Sequence, residues 1–115
     1  MEKTKKTTAS SRQQAYARLC AQLARPGWIS DGYVQDRAAL GGSPSYPWTR
    51  KIKGKTVCVA LSKQQYEWLK RAIANWRTVQ RTLRQMQRLS REELFESLPN
   101  PRRRKRLGKK VLGLV

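Results

Sequence analysis

Carboxylates are the first groups in this sequence that could do chemistry. Asp31 and Asp36 lie five residues apart, and Glu67 follows on a predicted helix. Three converging carboxylates could hold the Mg²⁺ pair of a nuclease or transposase site. No motif surrounds these residues, however, and the chain has no His to act as acid, base or metal ligand. The later acidic residues are better explained as charges that favour a helix N-terminus, namely Glu92, Glu93 and Glu96.

The sequence gives equally little support for other catalytic or metal-binding chemistries. A recombinase uses a Ser or Tyr nucleophile beside an Arg cluster, but 115 residues leave little room for such a domain. Cys20 and Cys58 are far apart and lack further ligands for a metal. One disulfide is possible by count, but two small core or half-buried residues are the favoured interpretation, and their thiols are expected to stay reduced. The sequence therefore predicts a protein that is not an enzyme and that has neither a metal site nor a cofactor.

Basic side chains are the groups best placed to bind a partner. Lys and Arg number 26 against 7 Asp and Glu, which gives a formal charge of +19. Such a charge on so small a protein repels itself unless a polyanion neutralises it. The expected partner is nucleic acid, with DNA favoured over RNA.

Six basic residues recur along one side of a predicted long helix. At 100° per residue they fall within a band roughly 60° wide, which flanks the apolar face. Glu67 is the only acidic residue on this helix before Ser90, so ion pairs within the helix do not explain the band. An ordinary solvated helix face is the alternative, but the excess of cations favours contact with phosphates. This basic stripe consists of Lys63, Lys70, Arg77, Arg81, Arg84 and Arg88.

Two further basic clusters accompany the stripe. The tip of a predicted hairpin carries Arg50, Lys51, Lys53 and Lys55. A two-stranded ribbon fits a major groove, although Lys also protects exposed sheet edges from pairing. The C-terminal cluster suits a minor groove or RNA equally well, and comprises Arg102, Arg103, Arg104, Lys105, Arg106, Lys109 and Lys110.

Base readout and base stacking have weaker candidates. Groove-facing Arg, Asn or Gln residues are required for readout, and the candidates are Arg50, Asn75 and Gln85. Three aromatic residues fall on predicted core faces, where packing is favoured over stacking: Trp48, Tyr66 and Trp76. The pattern leaves both roles open for Trp28, Tyr33 and Trp68.

The helices and strands that must position these side chains can be predicted in order, starting at the N-terminus. A helix is predicted from a cap at Ser10 or Ser11 through Arg25, where Pro26-Gly27 ends it. A strand-like stretch follows at Trp28–Arg37, and a Gly- and Pro-containing loop comes next. Residues 46–61 then predict a hairpin that turns at Lys53-Gly54.

The period of two within this hairpin fixes its register. Ile52 is expected opposite Lys55, and three further pairs then share one mostly apolar face: Arg50 with Val57, Trp48 with Val59 and Tyr46 with Leu61. The other face holds Thr49, Cys58 and small or basic residues. A shift of one residue would mix the two sets.

A long helix is predicted to follow the hairpin. Ser62 and Gln65 match a capping box, and no Pro or Gly interrupts the chain up to Leu98. A second capping box, Ser90 with Glu93, predicts that the helix restarts there with a bend. Pro99 and Pro101 end it.

The predicted fold class is α+β. It combines an N-terminal helix, a three-stranded antiparallel sheet and a long C-terminal helix, with basic disordered arms at both ends. The expected organisation is a basic flexible arm over residues 1–10, a single domain over 11–98 and a basic tail over 99–115.

The middle of the chain resembles a group of small, basic bacterial proteins of unknown function that are encoded beside transposases in mobile elements. The likeness covers roughly residues 28–112. It is carried by Gly27-Trp28-Ile29-Ser30, by Tyr46-Pro47-Trp48-Thr49-Arg50-Lys51, by Gly54-Lys55-Thr56-Val57, by Ile73-Ala74-Asn75-Trp76-Arg77 and by Arg102-Arg103-Arg104-Lys105-Arg106-Leu107. Similar domains have a Cys-rich segment between their first two strands, but residues 36–45 contain no Cys, so the resemblance implies no metal. It implies an accessory protein of a mobile element.

The sequence therefore predicts a double-stranded-DNA-binding accessory subunit of a transposase complex, with a larger protein such as the transposase as its partner. The alternative is a structural RNA-binding protein of a ribonucleoprotein. A third class is a protein-interaction subunit, whose complex would survive high salt. With neither an apolar secretory segment nor a run of roughly 20 apolar residues, no membrane contact is expected. The expected location is the bacterial cytoplasm, at the nucleoid if the ligand is DNA.

Overall fold

The computed structural model describes residues 2–115, with side chains described from Ser10 onward. Its elements run in the order α1 (Glu2–Leu23), β1 (Tyr33–Val34), β2 (Tyr46–Ile52), β3 (Lys55–Leu61), α2 (Lys63–Ser97) and α3 (Lys109–Leu112). The strands form one antiparallel sheet in the order β1-β2-β3. The predicted α+β class with its N-terminal helix, three-stranded sheet and long helix is confirmed.

The chain divides into two compact units. The sheet unit is Pro26–Val79, and the terminal unit combines Met1–Arg25 with Gln80–Val115. The helix α2 contributes its first part to the sheet unit and its second part to the terminal unit.

The hairpin follows the predicted register. Tyr46 lies opposite Leu61, Trp48 opposite Val59, Arg50 opposite Val57 and Ile52 opposite Lys55. The two-residue turn requires positive φ at both central residues, and Lys53 and Gly54 have φ values of 50° and 81°. The period of two and the turn glycine together fix which side chains share a face.

The strand β1 is much shorter than the strand-like stretch Trp28–Arg37. Only Tyr33 and Val34 pair with β2, opposite Thr49 and Trp48. Gly32, at φ 102°, turns the chain just before the strand, so the preceding residues do not extend the ladder. The indole of Trp48 donates a hydrogen bond to the carbonyl oxygen of Asp31 over 3.2 Å, which ties this turn to the sheet.

The helix α2 begins at the predicted capping box. The backbone N–H of Gln65 donates to the hydroxyl of Ser62 (3.1 Å), and the N–H of Ser62 donates to the side-chain oxygen of Gln65 (3.0 Å). The predicted restart at Ser90 is wrong, because α2 continues through it to Ser97. The Ser90 hydroxyl instead donates to the carbonyl oxygen of Met86 (2.9 Å), a bond that lets serine sit inside a helix.

The core of the sheet unit is small. Leu69, Ala72 and Ile73 on α2 are buried, and Val34, Trp48 and Leu61 pack against them from the sheet. Two hydrogen bonds hold the preceding loop to the same helix: the N–H of Ser30 donates to the carbonyl of Ala72 (3.2 Å), and the Asn75 amide donates to the carbonyl of Trp28 (2.9 Å).

Arg12 is the most informative buried residue of the terminal unit. Its side chain is only 7% exposed, and its guanidinium lies 2.6 Å from a carboxylate oxygen of Glu93 and 3.7 Å from one of Glu92. It also donates to Glu96. These carboxylates lie far from the N-terminus of α2, so the prediction that they serve a helix N-terminus is wrong. They bind a guanidinium from α1 instead.

Both ends of the chain carry more regular structure than the predicted arms. The backbone of α1 begins at Glu2, ahead of the predicted cap at Ser10 or Ser11, while the lysine side chains of the predicted 1–10 arm lie outside the described side chains. Near the other end, α3 closes with Gly113 at φ 74°, and Arg91 donates to the Gly113 carbonyl (3.4 Å). Among the described residues, no helix is long and apolar enough to cross a membrane.

Candidate nucleic-acid interface

The hairpin tip presents three exposed lysines. Lys51, Lys53 and Lys55 surround the turn, and each is exposed. They lie on a narrow two-stranded ribbon whose end is defined by the Lys53-Gly54 turn. The tip therefore offers cations to a polyanion without any change in backbone.

Arg50 is placed differently from its predicted neighbours at the tip. It shares a strand face with Trp48, is half-buried, and has its guanidinium carbon 4.5 Å from the centre of the Trp48 ring. Its Nε is buried and has no hydrogen-bond partner among the described groups. Because the guanidinium is already stacked on an indole, Arg50 is a poor candidate for reading bases in this conformation.

The part of the basic stripe within the sheet unit is open to solvent. Lys63, Lys70 and Arg77 are all exposed, as is Arg71, which follows Lys70 in the chain but lies about 100° around the helix from it. The ammonium of Lys70 lies 5.8 Å from the Tyr66 ring centre. Within the described part of the chain, none of these four pairs with a carboxylate. Three successive stripe positions therefore present charge at intervals of about 10 Å along the helix.

The stripe residues of the terminal unit are exposed but partly engaged. Arg88 lies 3.7 Å from a carboxylate oxygen of Glu92, one turn away on α2. Arg81 also has an interaction partner. Arg84 is exposed, and no described carboxylate pairs with it. This part of the stripe keeps less free positive charge than the part in the sheet unit.

The C-terminal basic cluster is exposed throughout and locally ordered. Arg104 donates to the side-chain oxygen of Asn100, and its guanidinium carbon lies 5.4 Å from the centre of the Phe95 ring. Lys109 and Lys110 form the start of α3. Among the described residues, no carboxylate forms an ion pair with the remaining basic side chains of the cluster. These are Arg102, Arg103, Lys105 and Arg106.

The aromatic residues left open by the sequence are accessible. Trp28 is 75% exposed, Tyr33 is 54% exposed and Trp68 is 47% exposed. The rings of Trp28 and Trp68 lie 6.4 Å apart at 38° to one another. Trp48, Tyr66 and Trp76 are half-buried, as expected for residues that pack. Of the readout candidates, Asn75 is engaged in its bond to the loop, whereas Gln85 is exposed.

The carboxylates considered for catalysis are not brought together. The side chain of Asp36 accepts a bond from the backbone N–H of Ala39 (3.2 Å) and so shapes a turn. Among the described residues, no group of three or more His, Cys, Asp or Glu side chains is arranged to hold a metal ion. Cys20 and Cys58 are both free thiols, and both are exposed, so the prediction that they are core or half-buried residues is wrong.

The predicted basic residues thus fall into four clusters, two in each unit. The hairpin tip and Lys63–Arg77 belong to the sheet unit, and Arg81–Arg88 and the C-terminal cluster belong to the terminal unit. Comparison with models of protein families, with curated proteins and with solved structures found no match to this chain.

Proposed function

We propose that this chain is a non-catalytic nucleic-acid-binding protein whose ligand is double-stranded DNA. Its suggested role is that of an accessory subunit in the transposase complex of a mobile element, in the bacterial cytoplasm at the nucleoid. The observation that carries the proposal is the set of exposed cations in the sheet unit that no described carboxylate neutralises: Lys51, Lys53, Lys55, Lys63, Lys70, Arg71 and Arg77.

The spacing of the stripe supports contact with a regular polyanion. Residues seven apart on a helix are about 10 Å apart along its axis. Double-stranded DNA rises 3.4 Å per base pair, so one stripe cation corresponds to about three base pairs. Phosphate contacts of this kind fix orientation and supply affinity but carry no sequence information. The proposed role is accordingly to hold a duplex, with target choice left to the transposase.

The test is the salt dependence of binding to a duplex. We expect the triple variant Lys63→Gln, Lys70→Gln and Arg77→Gln to flatten the plot of log affinity against log salt by about 2.7, because each lost phosphate contact contributes about 0.9. Fluorescence anisotropy with a labelled DNA duplex of about 20 base pairs measures this slope between about 50 and 200 mM salt.

A matched control removes the same charge elsewhere. Arg18, Arg25 and Arg37 are exposed and lie outside all four basic clusters. Their joint replacement by Gln should change the slope by less than about one contact. Equal slopes for the two triple variants would remove the stripe from the interface.

A structural RNA-binding role is the second candidate, and the exposed Trp28, Tyr33 and Trp68 favour it. Unpaired bases stack on such rings, and sequence-specific RNA recognition relies on this contact. Competition between duplex DNA and single-stranded RNA separates the two roles. Tighter RNA binding that is lost on Trp28→Ala and Trp68→Ala, with the salt slope retained, would replace the DNA proposal by this one.

A further inference from the structure

The strand β3 has one edge that is open. It is the last strand in the order β1-β2-β3, so β2 pairs with only one of its sides. Among the described residues, no backbone or side-chain group bonds to its outer side. Five of its seven residues are exposed, and Val59 is 40% exposed. A seven-residue edge with a single charge, Lys55, lacks most of the devices that keep sheet edges from pairing.

The pairing of β1 with β2 shows which backbone groups of β3 point away from β2. The carbonyl of Pro47 accepts a bond from the N–H of Gln35, so the backbone groups of Pro47 face the β1 side. The N–H and C=O groups of successive residues point to opposite sides of a strand in an antiparallel sheet. Those of Trp48 therefore face β3, and those of its partner Val59 face β2. The groups that point outward from β3 are therefore those of Thr56, Cys58 and Ala60.

These three outward residues are symmetric about Cys58, which is also the midpoint of Lys55–Leu61. An antiparallel pair of identical strands needs a two-fold axis through one pair of like residues. With Cys58 opposite Cys58 of a second copy, Thr56 lies opposite Ala60, and the outward N–H and C=O groups of the two strands meet in register. We propose that a second copy of this chain binds the open edge in this way, which joins the two sheets into one of six strands.

The side chains of β3 are compatible with this pairing. Val57 falls opposite Val59 of the second copy, so two pairs of β-branched residues meet and the exposed Val59 is covered. Lys55 falls opposite Leu61 of the second copy. The two copies of Lys55 are then about 20 Å apart along the strands, which is more than the Debye length of about 8 Å at physiological salt. No like charges lie directly opposite one another on the strand.

A covalent probe tests the proposed register in the full chain. The Cys20→Ser variant keeps Cys58 as its single thiol, and the Cys58→Ser variant keeps Cys20. Protein stripped of nucleic acid is treated with a short bismaleimide at about 0.5 M salt, where polyanion bridging and surface attraction are suppressed. We expect Cys20→Ser to give a covalent dimer of twice 13.3 kDa and Cys58→Ser to remain a monomer on denaturing gels.

Sedimentation equilibrium of two matched lysine variants tests the same contact without a cross-linker. Cys58→Lys places two cations directly opposite at the two-fold axis and should raise the dimer dissociation constant at least about tenfold. Thr49→Lys adds the same charge directly across the ladder from Cys58, away from the edge, and should leave the dimer intact. Far-UV circular dichroism confirms that each variant is folded.

Three results would overturn the proposal: a monomeric parent chain at about 100 μM, cross-linking through Cys20 that equals cross-linking through Cys58, or equal dissociation constants for the two lysine variants. Because every measurement is made without nucleic acid, failure here leaves the proposed DNA binding untouched, and failure of DNA binding leaves the dimer untouched.

Discussion

Replacing Arg12 by Met should destabilise the terminal unit far more than replacing any exposed arginine. Methionine keeps the length of the side chain but removes the guanidinium that contacts Glu92, Glu93 and Glu96. Three carboxylates within two helical turns then repel one another with no buried cation between them. Arg18 lies on the same helix and is exposed, so Arg18→Met provides the matched control.

The expected loss of stability on Arg12→Met depends on how far water screens the ion pairs of Arg12. Arg12 is 8% exposed, but the carboxylates of Glu93 and Glu96 are about half open to water, so solvent screens their attraction strongly. The cost of Arg12→Met should therefore lie near 1–2 kcal/mol, well below the roughly 3–5 kcal/mol of breaking a fully buried pair. The corresponding fall in Tm is about 5–10 °C.

The effect has a defined pH dependence. The hydrogen bond from Arg12, followed by that from Ser97, lowers the pKa of Glu93 below its ordinary value. A carboxyl whose pKa is lower in the folded state stabilises the fold above its unfolded pKa, and this stabilisation is lost as pH falls through the folded pKa. Hydrogen bonding to Glu96 raises the pKa of Arg12, so the guanidinium stays charged throughout.

Urea denaturation at a series of pH values measures this dependence. The difference in unfolding free energy between the parent chain and Arg12→Met should be full at pH 7 and should shrink below about pH 4, as the Glu93 carboxylate becomes protonated. Arg18→Met should show a small difference at every pH. A difference for Arg12→Met that persists unchanged to about pH 2, or one that Arg18→Met matches at pH 7, would refute the ion-pair explanation.

Two local substitutions test the fold of the sheet unit. Gly32→Ala should lower the free energy of unfolding by more than about 2 kcal/mol, because φ is 102° and the added methyl would overlap the Trp48 indole. Gly41→Ala, at φ 88° with open space around it, should show the cost of backbone strain alone. Equal costs for the two variants in urea denaturation would contradict the predicted overlap. Ser62→Ala should cost about 1 kcal/mol through loss of the capping box, and a thermal melt that matches that of the exposed loop variant Ser43→Ala would show that the cap contributes nothing.

Local patterns in the sequence predict the sheet unit well. The register of β2 and β3 depends on residues within sixteen positions of each other and on one glycine, and the cap of α2 depends on two residues three apart. The short β1 was not predicted, because apolar residues alone do not show that Gly32 adopts positive φ. The continuation of α2 through Ser90 was missed because a serine and a glutamate three residues later match a cap even inside a helix.

The sequence predicts which basic residues form the candidate site, but not which of them are already engaged by other side chains. Exposure of Lys63, Lys70 and Arg77 follows from their position beside the apolar face of the helix, as helical spacing indicates. The alternation that fixed the hairpin register also placed Arg50 on the face of Trp48, so a signal for its burial was present in the sequence. The partners of Arg12 left no such signal, since 81 positions separate it from Glu93.

That separation has a consequence for synthesis on the ribosome. Residues 26–79 form one uninterrupted stretch, so the sheet unit is complete as soon as this stretch has emerged from the exit tunnel. The terminal unit is built from two stretches on either side of it. At 5–20 residues per second, Arg12 is made about 4–16 s before Glu93, and the nascent N-terminal helix carries an unmatched guanidinium for that interval. Vectorial synthesis thus completes the sheet unit first and the terminal unit last.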